Sequence, residues 1–430
     1  MQSPDEGVHI LRAHLLSKGV LVLKTPPGKL SGGYVDENLL RYQAITSASL
    51  AAKPQSKVTQ QSVEEVSSLQ WASKSVFHAI PSTGYYFPII YTPQALGLSL
   101  GELFGLTIQQ SYYFARLCAF MVSMLLIGIA FHLFPPNPLV VALLLLPMSV
   151  FQFVSAGMDG VALSLTILCI ALFMRGCIVK YYFSKRMAFA LSVALFILTS
   201  SRFQVLVFIF MPFIVAFQRR EITYLWHGIG LVLMTLGWLY LGIMLTSDGG
   251  MNHPGISHFD MIKYYLTNPQ VLAQVMLDTI RNPSKQLTYL QELIGKLGWL
   301  DTSFSPQLYS LMAWLLAAVT ILSVSLKKLR ENWLPRITLV LMFLGSVFTI
   351  FFALLIQWNP FPTVTIEGVQ GRYFIIPLCA FGYALHGEMG FKNIPSKAAM
   401  VFLGVMVVVV ALKMPQLLLA RYFISSAPVA

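Results

Sequence analysis

The chain opens on about a hundred residues with no sustained apolar period, then becomes a series of hydrophobic runs from near residue 112 to near residue 414. A run of roughly 20 apolar residues crosses the hydrocarbon core of a bilayer as a helix. The first, YYFARLCAFMVSMLLIGIAFHLF, covers 112–134; others fall at 138–154, 159–178, 187–200, 203–217, 225–246, 306–326, 337–356, 372–388 and 398–414. The pattern predicts an all-α polytopic membrane protein of about ten transmembrane helices. The runs at 187–200 and 203–217 are short enough to be one broken hairpin. Composition agrees: 11% of residues are charged and 56% hydrophobic, where soluble domains carry roughly a quarter charged residues, so a soluble globular protein is excluded.

The polar opening has its own pattern. AAKPQSKVTQQSVEEVSS shows no apolar period and reads as a surface loop or flexible insert. MQSPDEGVHI lacks the apolar core of a cleavable signal peptide. The segment GYYFPIIYTPQALGLSLGELFGL, 84–106, is apolar enough to count as a span, but Pro88, Pro93 and Glu102 interrupt it and counting it inverts the charge bias of the loops. It is expected to lie in the outer membrane interface, a depth that suits Tyr85, Tyr86 and Tyr91.

Lysine and arginine collect in cytoplasmic loops. One set of loops holds Arg175, Lys180, Lys185 and Arg186, then Arg219 and Arg220, then Lys327, Lys328, Arg330 and Arg336, then Lys392 and Lys397. The opposite short loops hold only Arg202 and, at a helix edge, Arg372. The first set is therefore cytoplasmic. Residues 1–110 form an outward-facing region of loops and interfacial helices, 111–246 an N-terminal transmembrane bundle, 247–305 an outward-facing helical loop, and 306–430 a C-terminal transmembrane bundle. A polar segment of that length at the start, exported with nothing ahead of it, implies a further N-terminal helix upstream of Met1.

The net charge of +12 needs no nucleic-acid partner, because cytoplasmic loops account for the basic residues. Cys118, Cys169, Cys177 and Cys379 lie in apolar stretches without CxxC spacing and read as packing residues.

Candidate chemistry is confined to the outward side. In SPDEGVHILRAHLLSKG, Asp5 and Glu6 form an acidic pair, with His9 and Arg12 near the same face as Asp5 if the stretch is helical. An outward carboxylate there can serve as a general base on an acceptor hydroxyl or as a metal ligand, and equally can cap a helix N-terminus. Asp159, in SAGMDGVALSL, stands at the mouth of a hydrophobic hairpin, where a carboxylate is costly unless paired, solvated or used; helix capping is open here too. Asp5 and Asp159 together are candidate ligands of a shared divalent cation such as Mg or Mn. Arg202 in TSSRFQ and Arg372 in EGVQGRYFIIP run against the charge bias, and a guanidinium fork suits phosphate, though snorkelling or pairing with a buried acid is the competing use. Gly368 and Gly371 around Gln370 either admit a ligand close to the backbone or make a turn. His253 and His258, spaced across Pro254 and Gly255, fix no metal geometry and read as solvated loop residues. No P-loop, GxSxG, HExxH or GxGxxG occurs in a helical context, which argues against a nucleotide-driven motor.

Taken in order, SPDEGVHILRAHLLSKG, YYFPIIYTPQALGLSLGELFGL with the following YYFARL, LLPMSVFQFVSAGMDGVAL, KLGWLDTSF and EGVQGRYFIIPL resemble a bacterial family of predicted membrane proteins of unassigned function. That family looks like a relative of the GT-C glycosyltransferases, integral membrane enzymes that use lipid-phosphate-linked sugars. The resemblance implies catalytic roles for Asp5 and Glu6, donor-phosphate binding by Arg372 and Arg202, and substrate contacts from His9, Arg12, Tyr86, Tyr91, Gln370 and Tyr373. It places Asp159 at a second acidic position, a candidate metal ligand with Asp5. The implied partners are a polyprenyl-phosphate-linked sugar, an envelope glycan or glycolipid acceptor and membrane lipids, in a bacterial cytoplasmic (inner) membrane. A transporter or flippase of lipid-linked saccharides is the alternative. The chain departs from the family pattern in two respects: the first helix is absent, and TSSRFQ replaces an expected Lys/Pro-containing segment. A start at Met1 would imply an inactive copy.

Overall fold

The computed structural model describes residues 3–48, 50, 56–72, 74–247, 256–324, 332–385 and 394–424. His253 and the basic residues Lys327, Lys328, Arg330 and Lys392 lie outside the described residues. Among the described residues, five helices are long and apolar enough to cross a membrane: Ile108–Leu133, Asp159–Cys177, Ile222–Leu245, Trp333–Trp358 and Ile394–Tyr422. The remaining apolar runs are helical but short. The 138–154 run breaks into Pro138–Leu144 and Pro147–Phe153, because Pro147 lacks the N–H that a continuous helix needs. The run at 203–217 begins as a 3-10 turn, Phe203–Phe210, and becomes α-helical at Met211. A 3-10 turn, Gly371–Phe374, likewise leads into the ten-residue helix Ile375–Ala384. Among the described residues, each of the ten expected apolar segments contains helix, while five helices have the length of a straight crossing.

One hydrophobic core runs from Ile10 to Tyr422. Pro306–Leu322 packs on Ile394–Tyr422, and Ile375–Ala384 inserts against Pro138–Leu144 and Asp159–Cys177, so the two expected transmembrane bundles share their interior. Asp159–Cys177 is the central helix, with nearly all its side chains buried by protein. The 247–305 region carries three amphipathic helices, His258–Thr267, Pro269–Arg281 and Pro283–Gly295. They cover the end of Trp333–Trp358 through a second apolar cluster that includes Met261, Tyr265, Leu272 and Phe351.

The N-terminal region is folded onto one end of this bundle. Its first helix, Glu6–Ser17, is nearly all buried. A two-stranded antiparallel sheet, Gly32–Asp36 with Ser75–Ala79, adds a small β element beside the helices. Asp36 then caps the helix Glu37–Gln43, its carboxylate accepting from Asn38 and Leu39 N–H at 2.9 and 3.1 Å. Within the stretch expected to be a surface loop or flexible insert, Gln60–Ser68 is a helix, started by a reciprocal Thr59 and Ser62 capping box and anchored by the buried Val66. Tyr91, in the segment expected at the interface, is fully buried by protein.

At the opposite end of the central helix, several arginines expected to mark the cytoplasmic side serve the backbone. Arg219 donates to the carbonyls of Gly176 and Tyr181 at 2.6 and 2.7 Å, Arg175 to Leu133 at 2.8 Å, and Arg336 to Ala384 at 2.9 Å. Each satisfies carbonyls that a helix C-terminus leaves without partners. Cys169, Cys177 and Cys379 are buried and Cys118 is half-buried, all as free thiols.

The helix Thr92–Leu103 lies tightly on Ile108–Leu133, where a Cβ at Gly97 would sit 2.5 Å from the Ala115 Cα. Gly97→Leu is expected to force the pair apart at a cost of about 1–3 kcal/mol. Thermal unfolding in detergent should show a lower Tm, and an unchanged Tm would contradict this packing.

Candidate functional site

Four segments far apart in sequence meet where Asp159–Cys177 and Ile375–Ala384 begin and where Lys185–Thr199 and Trp333–Trp358 end. Arg372 is the centre. Its Nη2 donates to Asp5 Oδ2 at 2.6 Å, its Nη1 to Asp159 Oδ2 at 3.2 Å, and its Nε to Gln370 Oε1 at 2.6 Å. Arg202 forms an ion pair with the other oxygen of Asp159, and Gln152 reaches Asp159 at 3.4 Å. Two carboxylates and two guanidiniums therefore balance in charge. The Arg372 side chain is only 3% exposed, whereas Asp5 is 53% exposed and forms the open edge.

Asp5 is the residue preceding the Glu6–Ser17 helix, yet its side chain caps nothing. Its backbone is left-handed, φ 62° and ψ 0°, a conformation that costs a non-glycine residue free energy and persists only where the surroundings hold it. Here the carboxylate is drawn outward to Arg372 instead of back over the helix. Partial burial raises its pKa, but the Arg372 charge and hydrogen bond outweigh that and leave the carboxyl below its ordinary value. Asp159 begins its helix, and its oxygens are likewise turned to the arginines.

Glu6 has a different place from its neighbour. It is fully buried, with Oε1 accepting from Arg116 Nε at 2.8 Å and Ala156 N–H at 2.7 Å, and Oε2 from Ser3 N–H at 2.8 Å. This carboxylate fastens the first helix to Ile108–Leu133 and to the 154–158 turn, leaving it no free oxygen for an acceptor. Arg12 also points elsewhere, donating to the Val20 and Leu21 carbonyls at 2.9 and 2.6 Å beyond its own helix. The expected shared face thus contributes Asp5 and His9 to the site while the Arg12 charge serves the following turn.

His9 lies behind Asp5, its Nδ1 2.8 Å from the Tyr91 hydroxyl and its ring 6.2 Å from that of Tyr86. Burial is the main cause of its low pKa; Arg202 and Arg372 add to the lowering and Asp5 opposes it, with the result held to about 3. The ring is therefore neutral at pH 7. Tyr373 places its ring 5.3 Å from the Arg372 guanidinium. With Tyr86 and Arg202 it lines a pocket of about 120 Å³.

The two glycines of EGVQGRYF make the turn. Gly368 has φ +80°, and a Cβ at Gly371 would collide with the Tyr289 carbonyl of the helix Pro283–Gly295. Glu292 of that helix accepts the Gly371 N–H at 2.7 Å, fixing the segment that carries Arg372. Close approach at Gly371 is thus to protein, not to a ligand.

The acids do not form a cation site in this arrangement. The Arg372 guanidinium lies between Asp5 and Asp159, and among the described residues no group of three His, Cys, Asp or Glu side chains is placed to hold a metal. A divalent cation such as Mg or Mn takes about six oxygen ligands, so the donor set does not fit one. His258, expected in a solvated loop, is the exposed first residue of its helix.

Sequence reasoning missed Gln152, Gln204, Arg116 and Glu292. Gln152 had a signal, because it precedes Asp159 by one broken turn in FQFVSAGMDG, a segment already singled out. Nothing local marks Arg116 or Glu292, whose partners are 110 and 79 residues away.

The adjacent acids should separate on mutation. Glu6→Ala strands the Arg116 charge and is expected to cost about 3–5 kcal/mol, seen as loss of folded protein on size-exclusion chromatography, whereas Asp5→Asn stays folded. Equal behaviour of the two would contradict the assignment. A second expectation concerns acid. Unfolded histidine takes up a proton near pH 6.5, but His9 resists until about 3 and His14, also depressed by burial, until about 4. Their stabilisation is therefore complete above pH 6.5 and is lost as pH falls toward 3. The double variant His9→Gln, His14→Gln should flatten the decline of Tm between pH 6.5 and 4; an unaltered decline would contradict it.

The chain matches, over residues 1–381, the model of a family described as "Predicted membrane protein (DUF2142)". No curated protein and no solved structure matches it. That description carries membrane location and no activity, in agreement with the apolar helices on which the buried polar cluster is built. With 381 of its 430 residues matched, the chain belongs to the DUF2142 family of predicted membrane proteins.

Proposed function

We propose that this protein is a membrane glycosyltransferase of GT-C-like architecture. It transfers a sugar from a polyprenyl-phosphate donor to a cell-envelope glycan or glycolipid on the outer face of the bacterial cytoplasmic membrane. In this reading the shorter apolar helices join the five long ones in a bundle of about ten crossings. The observation that carries it is the pairing of a half-exposed carboxylate, Asp5, with a buried arginine, Arg372, beside a small polar pocket at one end of that bundle.

The chemistry needs a group that accepts a proton and a cation that stabilises a departing phosphate. Asp5 is ionised at neutral pH and edges the site. The acceptor hydroxyl oxygen attacks the anomeric carbon, its proton passes to Asp5, and the bond from that carbon to the phosphate oxygen breaks. The charge left on polyprenyl phosphate is met by Arg372, with Arg202 alongside. While Arg372 holds Asp5, the carboxylate is a weak base. A donor phosphate that draws the guanidinium away frees Asp5 and raises its basicity, so donor binding precedes proton transfer.

Membranes containing the protein, given radiolabelled polyprenyl-phosphate sugar and an envelope-lipid extract, should release free polyprenyl phosphate and label a glycan or glycolipid. Asp5→Asn is expected to lower that transfer by about 10²–10⁴-fold, the range for loss of a general base. Unchanged turnover in Asp5→Asn would remove it from the mechanism. Movement of intact labelled lipid across vesicles without release of polyprenyl phosphate would establish a transporter instead.

A further inference from the structure

The pocket beside Arg202 has among its lining three polar residues to which neither the sequence nor the chemistry above gives a role. Gln204 follows Arg202 on the 3-10 turn Phe203–Phe210, and Thr349 and Gln357 come from the Trp333–Trp358 helix. With Tyr86, Arg202 and Tyr373 they line about 120 Å³ that opens to solvent, well below the volume of a site for a drug-sized molecule. A space of that size suits one small ring.

Its chemistry is specific. Gln204, half-buried, and Gln357, exposed, both line it, and a glutamine amide offers two donors and an acceptor. The Thr349 hydroxyl gives its proton to the Gly345 carbonyl at 2.8 Å, which leaves its oxygen able to accept. Two phenol rings supply flat apolar faces with a polar edge. The lining contains no carboxylate, and its one charge, Arg202, is already opposed by Asp159. The Arg202 Nε is buried without a hydrogen-bond partner among the described residues. Amide pairs beside aromatic faces suit a ring bearing several neutral hydroxyls. An ammonium group on that ring would face a guanidinium with no acid in the pocket to offset it.

Arg202, Gln204 and Tyr373 also line the adjoining cleft that holds Asp159 and Arg372. A ring in the pocket therefore lies one side chain away from the phosphate-binding cation and, across it, from Asp5. The geometry points to this pocket as the subsite for a single uncharged sugar ring of the donor, held by Gln204 and Gln357 through its hydroxyls. This rests on the glycosyltransferase reading and adds the sugar class and the residues that select it.

The test uses the full-length protein in a sugar-free detergent, because a glucoside or maltoside headgroup would compete for the pocket. Thermal stabilisation is titrated with undecaprenyl phosphate alone and with undecaprenyl-phosphate-linked glucose, mannose, galactose and 4-amino-arabinose. Undecaprenyl phosphate is expected to bind in a manner that Arg372→Gln weakens and that Gln204→Leu and Gln357→Leu leave unchanged. At least one of the three neutral sugars should tighten binding further, and each glutamine variant should lose about tenfold of that added affinity, the worth of one to two hydrogen bonds. The amino sugar should add nothing. Arg372-dependent binding of undecaprenyl phosphate with no sugar contribution, or with one indifferent to both glutamines, overturns the subsite and leaves the glycosyltransferase reading standing. Preference for the amino sugar overturns the neutral class. Absence of any Arg372-dependent lipid binding overturns both readings.

Discussion

The arginine at position 372 has to be kept ionised with almost no exposure to water, and much of the surrounding structure follows from that constraint. Burying a guanidinium without partners is prohibitive, so its three nitrogens are met by Asp5, Asp159 and Gln370. Those partners come from the beginning, the middle and the end of the chain. The pairing therefore determines where the first helix sits, which end of the central helix bears a carboxylate, and how tightly the 368–374 turn must be made. Glu292 on the Gly371 N–H and the absence of a side chain at Gly371 complete the support. The left-handed backbone at Asp5 shows the same priority, since a helix-capping aspartate would not need it.

A second polar contact divides labour with the first. Glu6 is next to Asp5 of the open cluster in sequence, but it is fully buried, pairs with Arg116 110 residues away, and is saturated with donors. It holds the Glu6–Ser17 helix to the bundle, so that Asp5 at its head can remain half exposed without the helix drifting. Adjacent acids thus take opposite roles because successive residues at a helix start point in different directions. His9 contributes as a neutral ring, its proton kept off by burial and by two nearby arginines, and it passes support to the site through Tyr91.

How much of this was legible in the sequence differs by level. Apolar runs marked every helix of the bundle, and arginines against the charge bias marked Arg202 and Arg372 as unusual. Straightness was not legible, because Pro147 and the 3-10 openings at Phe203 and Gly371 cut apolar runs into pieces shorter than a crossing. The acids Asp5 and Asp159 were recognisable as candidates, but whether they face a cation or an arginine depends on contacts far beyond a helical turn, those to Arg372 spanning 213 and 367 residues. Hydropathy contains nothing about such contacts, which is why a shared metal and an arginine partner both stood open for these acids. The competing use for the outward arginines, pairing with a buried acid, is the one the resting structure adopts, and the phosphate role requires a ligand that competes for them. Polar segments were the least legible: capping by Thr59 and Ser62 made a helix of a stretch whose composition suggested a loop.

The central claim is that Asp5 and Arg372, 367 residues apart, act as one unit. A double-mutant cycle on thermal stability, with Asp5→Asn, Arg372→Gln and the combination, measures this directly. Contacting residues in a shared network show a coupling of about 0.5–3 kcal/mol, and the account predicts a value in that range, with the second substitution costing much less once the first is present. Effects that add within about 0.3–0.5 kcal/mol would contradict it, because the first helix would then be placed without reference to the arginine.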